Sequence, residues 1–383
     1  MTSAPTLASV RAGWSAARLP RDLHPVAWWI WGIGLAAYAS STINPWLLLG
    51  LIAVAGLVVA ARRSDQPWAG AFRLYLAVGA VIVVIRVLFR VLLGGVPGHV
   101  LLDLPAVPLP GWVLGIRLLG PVTLEALLAG LYDGLRLAAI IICLGAVNAL
   151  ANPKRLLRSV PPALYEVGTA LVVAVTVLPQ LADSVRRVRA AQALRAGDTR
   201  RVGRLRRFLV PVLEDALERS LALAAGMDTR GYGRSGTLSA RARRTTSALM
   251  LVGLVGLAAG VYAVLDPTTP DWLAPVMVVG GLAAAVTGLA LAGRRVGRTV
   301  YRPDPWRWPE LTVVAAGVAA GAVGWWVGHH DLRVAFPDLS TSPTVSLLAL
   351  VGVLVAAVPA LAAPEPAVLE PDVGARDILE EAA

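Results

Sequence analysis

Apolar runs recur along this 383-residue chain, each about as long as a bilayer is thick, and they leave few folds open. A membrane-spanning helix needs about 20 mainly apolar residues, with a range of about 17–25. Runs that qualify fall roughly at 26–41, 44–61, 71–93, 121–149, 245–265, 273–292, 311–328 and 344–362. Hydrophobic residues make up 57% of the chain and charged ones only 15%, whereas soluble domains carry about 25% charged residues. The expected fold is therefore an all-α polytopic membrane protein with about eight transmembrane helices.

Charge orients these spans. The net charge of +11 is almost all arginine, since Lys154 is the only lysine. In a membrane protein such charge first means topology and anionic lipid, and no nucleic-acid-binding motif accompanies it. Arg18 and Arg21 place the N-terminus in the cytoplasm, and Arg62-Arg63, two spans later, return there. The charge-poor loop 94–120 reads as outside, and Lys154, Arg155 and Arg158 as inside. The apolar run 163–181 breaks this order if it crosses, because the arginines from Arg186 to Arg207 would then face outward. It also holds Glu166, follows Pro161-Pro162 and contains Pro179, so it reads as a helix on the inner face. The later spans then put Arg241, Arg243 and Arg244 inside, and the acidic tail 364–383 with them. No cleavable signal peptide is evident, and a multi-pass protein of the plasma membrane is expected.

The arginine-dense island at 181–244 is the candidate for function. Leu181, Val185, Val188, Ala191 and Leu194 recur every three or four residues, which predicts one amphipathic helix ending near Gly197. A second is expected to start at Pro211, with Glu214, Asp215 and Glu218 near its beginning, Leu213, Leu217 and Leu221 as its stripe, and Arg230 at its end before Gly231 and Gly233. An arginine followed by glycine is common helix punctuation, and a basic cluster can simply bind anionic lipid. Two such helices in tandem favour a docking surface, because a guanidinium at a helix tip can form bidentate bonds in a partner's groove.

Gly226-Met227-Asp228-Thr229-Arg230-Gly231-Tyr232-Gly233 resembles the Ala-Met-Glu-Ala-Arg-Gly-Tyr signature of the transmembrane T component of energy-coupling factor (ECF) transporters, the family of the cobalt-transport component CbiQ. Ala191-Gln192-Ala193-Leu194-Arg195-Ala196-Gly197 is similar to that family's first Ala-Arg-Gly motif, with Leu194-Arg195-Ala196 in place of Ala-Arg-Gly. His24-Pro25 and Asn152-Pro153 add context, and the similarity covers about 20–265. The resemblance implies two coupling helices, each docked on one of two ABC-type ATPase subunits, and a separate substrate-binding S component for a vitamin or transition metal. It implies that Arg195 and Arg230 are the ionic anchors, that Ala193, Ala196 and Gly231 allow close packing, and that Met227 and Tyr232 pack in or beside the groove. Leu194, Gly197, Asp228 and Thr229 complete the two motifs. A phosphate-binding loop needs Gly-Lys-Ser/Thr, and Lys154 follows Pro153, so ATP hydrolysis is expected on partner chains. No cofactor, catalytic residue or resident metal is expected in this one.

On this reading residues 1–25 form a cytoplasmic segment, 26–160 the first transmembrane helices, 161–244 the interfacial and coupling region, 245–265 the last core span, 266–363 additional spans and 364–383 the tail. Five charges fall in spans three and four: Arg86, Arg90, Glu125, Asp133 and Arg136. Charges in a bilayer are costly and pair or face protein. A lock between the two spans is preferred, with Asp133 and Arg136 able to pair at i,i+3. A relay in a stand-alone secondary transporter and a polar contact with the S component stay open. His329-His330-Asp331 reads as an outer turn rather than a metal site, and Trp28, Trp29 and Trp31 as an interface belt. His24 is expected at the interface. Gly256/Gly260, Gly317/Gly321 and Gly324/Gly328 suit close helix crossings, although such spacing is frequent in glycine-rich chains.

Overall fold

The computed structural model describes residues 20–64, 70–93, 97–105, 107–108, 117–159, 164–194, 201–231, 240–266, 268–270, 272–293 and 306–366. Among the described residues, seven helices are long and apolar enough to cross a membrane, and the only strands are four short ones beside the third and fourth apolar runs. The chain is a polytopic all-α membrane protein. It divides into two compact units, Met1–Leu156 with Asp304–Ala383, and Leu157–Pro303.

Caps set the helix starts in the first unit. His24 precedes α1 (Pro25–Ser40), and its ring accepts from the Val26 N–H while lying 4.9 Å from the Trp306 ring. Asn44 caps α2 (Pro45–Arg62) by accepting from the Trp46 N–H, and proline occupies the first position of both helices, where its missing N–H costs nothing. α3 (Phe72–Leu93) leads to strands β1 (Val100–Asp103), β2 (Val107–Pro108), β3 (Arg117–Leu118) and β4 (Pro121–Thr123), which pair antiparallel as β1–β4 and β2–β3. Thr123 then caps α4 (Leu124–Leu150), followed by the short α5 (Pro153–Arg158). The unit closes with α10 (Trp308–His330), α11 (Leu332–Ala335), α12 (Leu347–Ala356) and α13 (Pro359–Ala362).

Its core lies where α4 packs on α1, α2 and α3, and where α10 and α12 pack on α1 and α2. Trp31, Leu35, Tyr38, Leu48 and Val58 are fully buried there. Glycines permit the closest approach. A β-carbon at Gly34 would fall on the Gly317 carbonyl, and one at Gly324 would meet the Tyr38 ring. Trp28 and Trp31, expected in an interface belt, are instead core residues at 4% and 0% exposure. The expectation fails because α10 and α12 cover α1, and nothing local to residues 28–31 announces them.

Leu157–Pro303 contains α6 (Tyr165–Leu194), α7 (Arg201–Thr229), α8 (Ala240–Leu265) and α9 (Leu273–Gly293). α8 and α9 form a tight hairpin, with Gly253 on Ala285, Gly256 on Gly281 and Gly260 on Val278. Two expectations for this unit need correction. The run 163–181 and the predicted helix from Leu181 are one 30-residue helix, α6, which continues through Pro179. Apolar periodicity on both sides of that proline outweighs its local penalty of about 3 kcal/mol. Val167–Ala191 within α6 also has the length and composition of a span. The second helix begins at Arg201 rather than Pro211, because the preceding arginines and leucines are good helix formers and the backbone runs on through the proline.

The expected spans at 26–41 and 344–362 are shorter than the rest. α1 has 16 residues, and the final apolar stretch, Leu347–Ala362, is broken between α12 and α13.

Candidate coupling site

The arginine island folds as α6 packed against α7, and one carboxylate joins them. Asp215 accepts from Arg219 on its own helix at 3.0 and 3.1 Å, and Arg187 of α6 lies 3.5 Å away. The Ser184 hydroxyl, almost fully buried on α6, also donates to it. This bond from Ser184 is the main reason the Asp215 carboxyl is held below its ordinary range; desolvation opposes it, and Arg219 and Arg187 add to it. Beside this junction the Arg189 guanidinium lies 5.7 Å from the Phe208 ring centre, a cation–π distance. Asp183 pairs with Arg186 at 3.5 Å along the exposed side of α6.

Asp215 was expected near a helix start. It lies well inside α7, whose first turn carries no acidic residue, so its role is to bridge rather than to offset the helix dipole. The i,i+4 spacing of Asp215 and Arg219 was legible in the sequence; the partner on α6 was not.

α7 ends at the second motif. Met227 is half-buried, whereas Asp228, Thr229 and Arg230 are exposed. The Thr229 hydroxyl donates to the Gly226 carbonyl at 3.0 Å. The Arg230 N–H bonds the Met227 carbonyl at 3.2 Å and the Gly231 N–H bonds the Asp228 carbonyl at 2.9 Å, which closes the last turn. Gly231 adopts φ +74°, the left-handed conformation that ends helices and favours glycine. A β-carbon at Gly226 or Gly231 would meet nothing within 4 Å, so both faces of this tip are open. The stripe behind it is open too: Leu213, Leu217 and Leu221 are each more than 60% exposed.

At the first motif, Ala193 and Leu194 form the C-terminal end of α6. Arg195, Ala196, Gly197 and Tyr232 lie outside the described residues.

The charges of spans three and four are met separately along α3 and α4. Arg90 Nη2 pairs with Asp133 Oδ2 at 3.0 Å across α3 and α4. Asp133 therefore takes its partner from the neighbouring helix and not from Arg136, which bonds the Ser40 carbonyl at the end of α1. Arg86 packs against Gly134, and Glu125 accepts from the His99 N–H at 2.8 Å.

His329 and His330 bond the Trp325 and Trp326 carbonyls, and the His330 ring stacks on Trp326 at 3.8 Å. Among the described residues, no group of three His, Cys, Asp or Glu side chains is placed to hold a metal ion.

No curated protein matches the chain. The family model described as CbiQ, cobalt transport protein, matches residues 16–239, more than half of the sequence and all of the α6–α7 segment. A helical membrane scaffold with an exposed, glycine-terminated arginine tip thus belongs to the CbiQ cobalt transport protein family.

Proposed function

We propose that this protein is the transmembrane T component of an ECF-type importer. It couples ATP hydrolysis on two partner ABC-type ATPases to uptake by a separate substrate-binding S component. Family membership supports a role in cobalt transport, and a vitamin or another transition metal is the broader substrate class. The observation that carries the coupling role is the end of α7. Gly231 stops the helix in a left-handed turn and leaves Arg230 exposed, with no ion pair among the described residues, beside an uncovered leucine stripe. A guanidinium in that position can form two parallel bonds to a carboxylate in a partner's groove. Arg195 is its counterpart after α6. By the family resemblance, Ala193, Ala196 and Gly231 permit close packing, Leu194 and Gly197 complete the first motif, and Met227, Asp228, Thr229 and Tyr232 stand beside Arg230 in the second.

The membrane is the plasma membrane, with the N-terminus and the α6–α7 tips cytoplasmic and the basic faces held by anionic lipid. The charge clusters support that orientation. The pair of Arg90 with Asp133 across α3 and α4, and the bond from Arg136 to the end of α1, favour a structural lock over the relay of a secondary transporter. The test is an ATPase pull-down with Arg195→Glu and Arg230→Glu combined. Loss of both ATPases from the purified complex is expected; retained ATPases with normal cobalt uptake would refute the coupling role.

A further inference from the structure

Helices α10–α13 lie beyond the family match, which ends at residue 239. They are nevertheless tied to α1 and α2 at three levels. At one end, Arg21 makes a bidentate ion pair with Glu310, at 2.6 and 3.0 Å, and Glu310 also accepts from the Arg307 N–H at 3.1 Å. Beside it Arg62, at the end of α2, donates twice to the Ala360 carbonyl, and the Arg21 N–H bonds the Glu365 carbonyl.

In the middle, Pro359 interrupts the last apolar stretch. The Ala360 N–H turns to the Ala357 carbonyl, leaving the Ala356 carbonyl without its helical donor. Trp31 Nε1 donates to that carbonyl at 3.0 Å, and the Tyr38 hydroxyl donates to the Ala349 carbonyl at 2.7 Å. At the other end, Thr42 and the Ile43 N–H both bond the Ala335 carbonyl. The buried Asn44 amide bonds the Val334 and Thr344 carbonyls.

We infer that α10–α13 are a resident subunit of the scaffold, seated on α1–α2 throughout the transport cycle and closing that face to any exchangeable partner. Separation would strand the Ala356 carbonyl in hydrocarbon, which offers no replacement bonds, and would take from Glu310 and Asn44 the partners among which they are buried. Sliding is blocked as well, because the register places Gly317 and Gly321 on Gly34 and Gly324 on Tyr38, where any β-carbon meets backbone or ring. A face with fixed polar partners at both ends and a glycine-set register in between has one arrangement, not two. The inference rests on the transport role proposed above, but only in requiring that there be a cycle.

The experiment locks the interface in the full-length chain. A β-carbon at Gly50 would lie 4.0 Å from that of Val353, inside the disulfide range of about 3.5–4.5 Å. Gly50→Cys with Val353→Cys therefore bridges α2 to α12, and Cys143 is buried away from the oxidant. A short bis-methanethiosulfonate reagent bridges the same two thiols should the disulfide itself fail to accumulate. Cobalt uptake is measured in the same membranes before and after oxidation.

The expected result is complete cross-linking, with uptake within about twofold of the reduced sample. A reversible fall of about tenfold or more on oxidation would show that the face must open, and would overturn the inference. Failure of both oxidation and the reagent to join the two thiols would also overturn it. If uptake proves independent of the ATPases, the coupling role fails while this comparison of reduced and oxidised protein stands.

Discussion

Removing one partner of the Arg21–Glu310 pair should cost more from one side than from the other. The Glu310 side chain is fully buried, whereas the Arg21 side chain is 22% exposed. Arg21→Ala leaves a carboxylate in the packed interior with backbone N–H groups, its own and that of Arg307, but no charge to answer it. Breaking a buried pair in this way costs about 3–5 kcal/mol. Glu310→Ala leaves a guanidinium that can extend along its aliphatic stem to water. Its cost should fall toward the loss of charge-assisted hydrogen bonds, about 1.5–3 kcal/mol. Arg21→Met with Glu310→Met removes both charges and should recover most of the loss, since an apolar replacement of a buried pair is often neutral. The assay is unfolding of the purified protein in mixed micelles by SDS titration, followed by tryptophan fluorescence. Trp306 and Trp308 flank Glu310 and report on this end of α10. Equal costs for the two alanine variants, or a double variant no better than Arg21→Ala, would refute the argument that burial sets the asymmetry.

Two further outcomes are open to measurement. Asp133→Asn removes the pair that joins α3 to α4, so it should lower stability and leave cobalt uptake intact; abolished uptake would revive the relay. Asp215 has a depressed pKa, so the contact it makes between α6 and α7 is fully present above the ordinary carboxylate value of about 3.9 and is lost as pH falls below it. Hydrogen exchange in α7 should therefore be unchanged from pH 7 to 5, after correction for intrinsic rates, and faster at more acid pH; acceleration already at pH 6 would contradict the assignment.

Length and hydropathy made the helical class legible, because a span is a local property of about 20 residues. The second motif was legible for the same reason: Arg230 and Gly231 follow one another, and the left-handed turn needs only its glycine. The glycine pairs were half legible. Gly256/Gly260, Gly317/Gly321 and Gly324/Gly328 do lie at crossings, yet spacing alone names no partner, and Gly34, which meets Gly317, has no partner at i+4. Hidden altogether were facts that depend on distant segments. Trp31 reads as an interface residue until Ala356 is placed beside it, and although a lock between spans three and four was expected, nothing local singled out Arg90 over Arg136 as the partner of Asp133. Pro179 and Pro211 misled in the opposite direction, since a local rule about breaks gave way to periodicity carried across them.

The bond from Trp31 to the Ala356 carbonyl joins residues 325 positions apart, and that separation bears on how the protein is made. α1 enters the membrane first, as a helix of 16 residues, about 24 Å long and short of a full hydrocarbon core. Its indole N–H, its phenol and Arg21 all await acceptors on α10 and α12, 289 to 325 residues further along the chain. At a synthesis rate of about 5–20 residues per second, the first helix spends about 15–60 seconds in the bilayer with those groups unmatched. Assembly is therefore committed late, and a chain cut short before α12 is left with an unfinished beginning as well as a missing end.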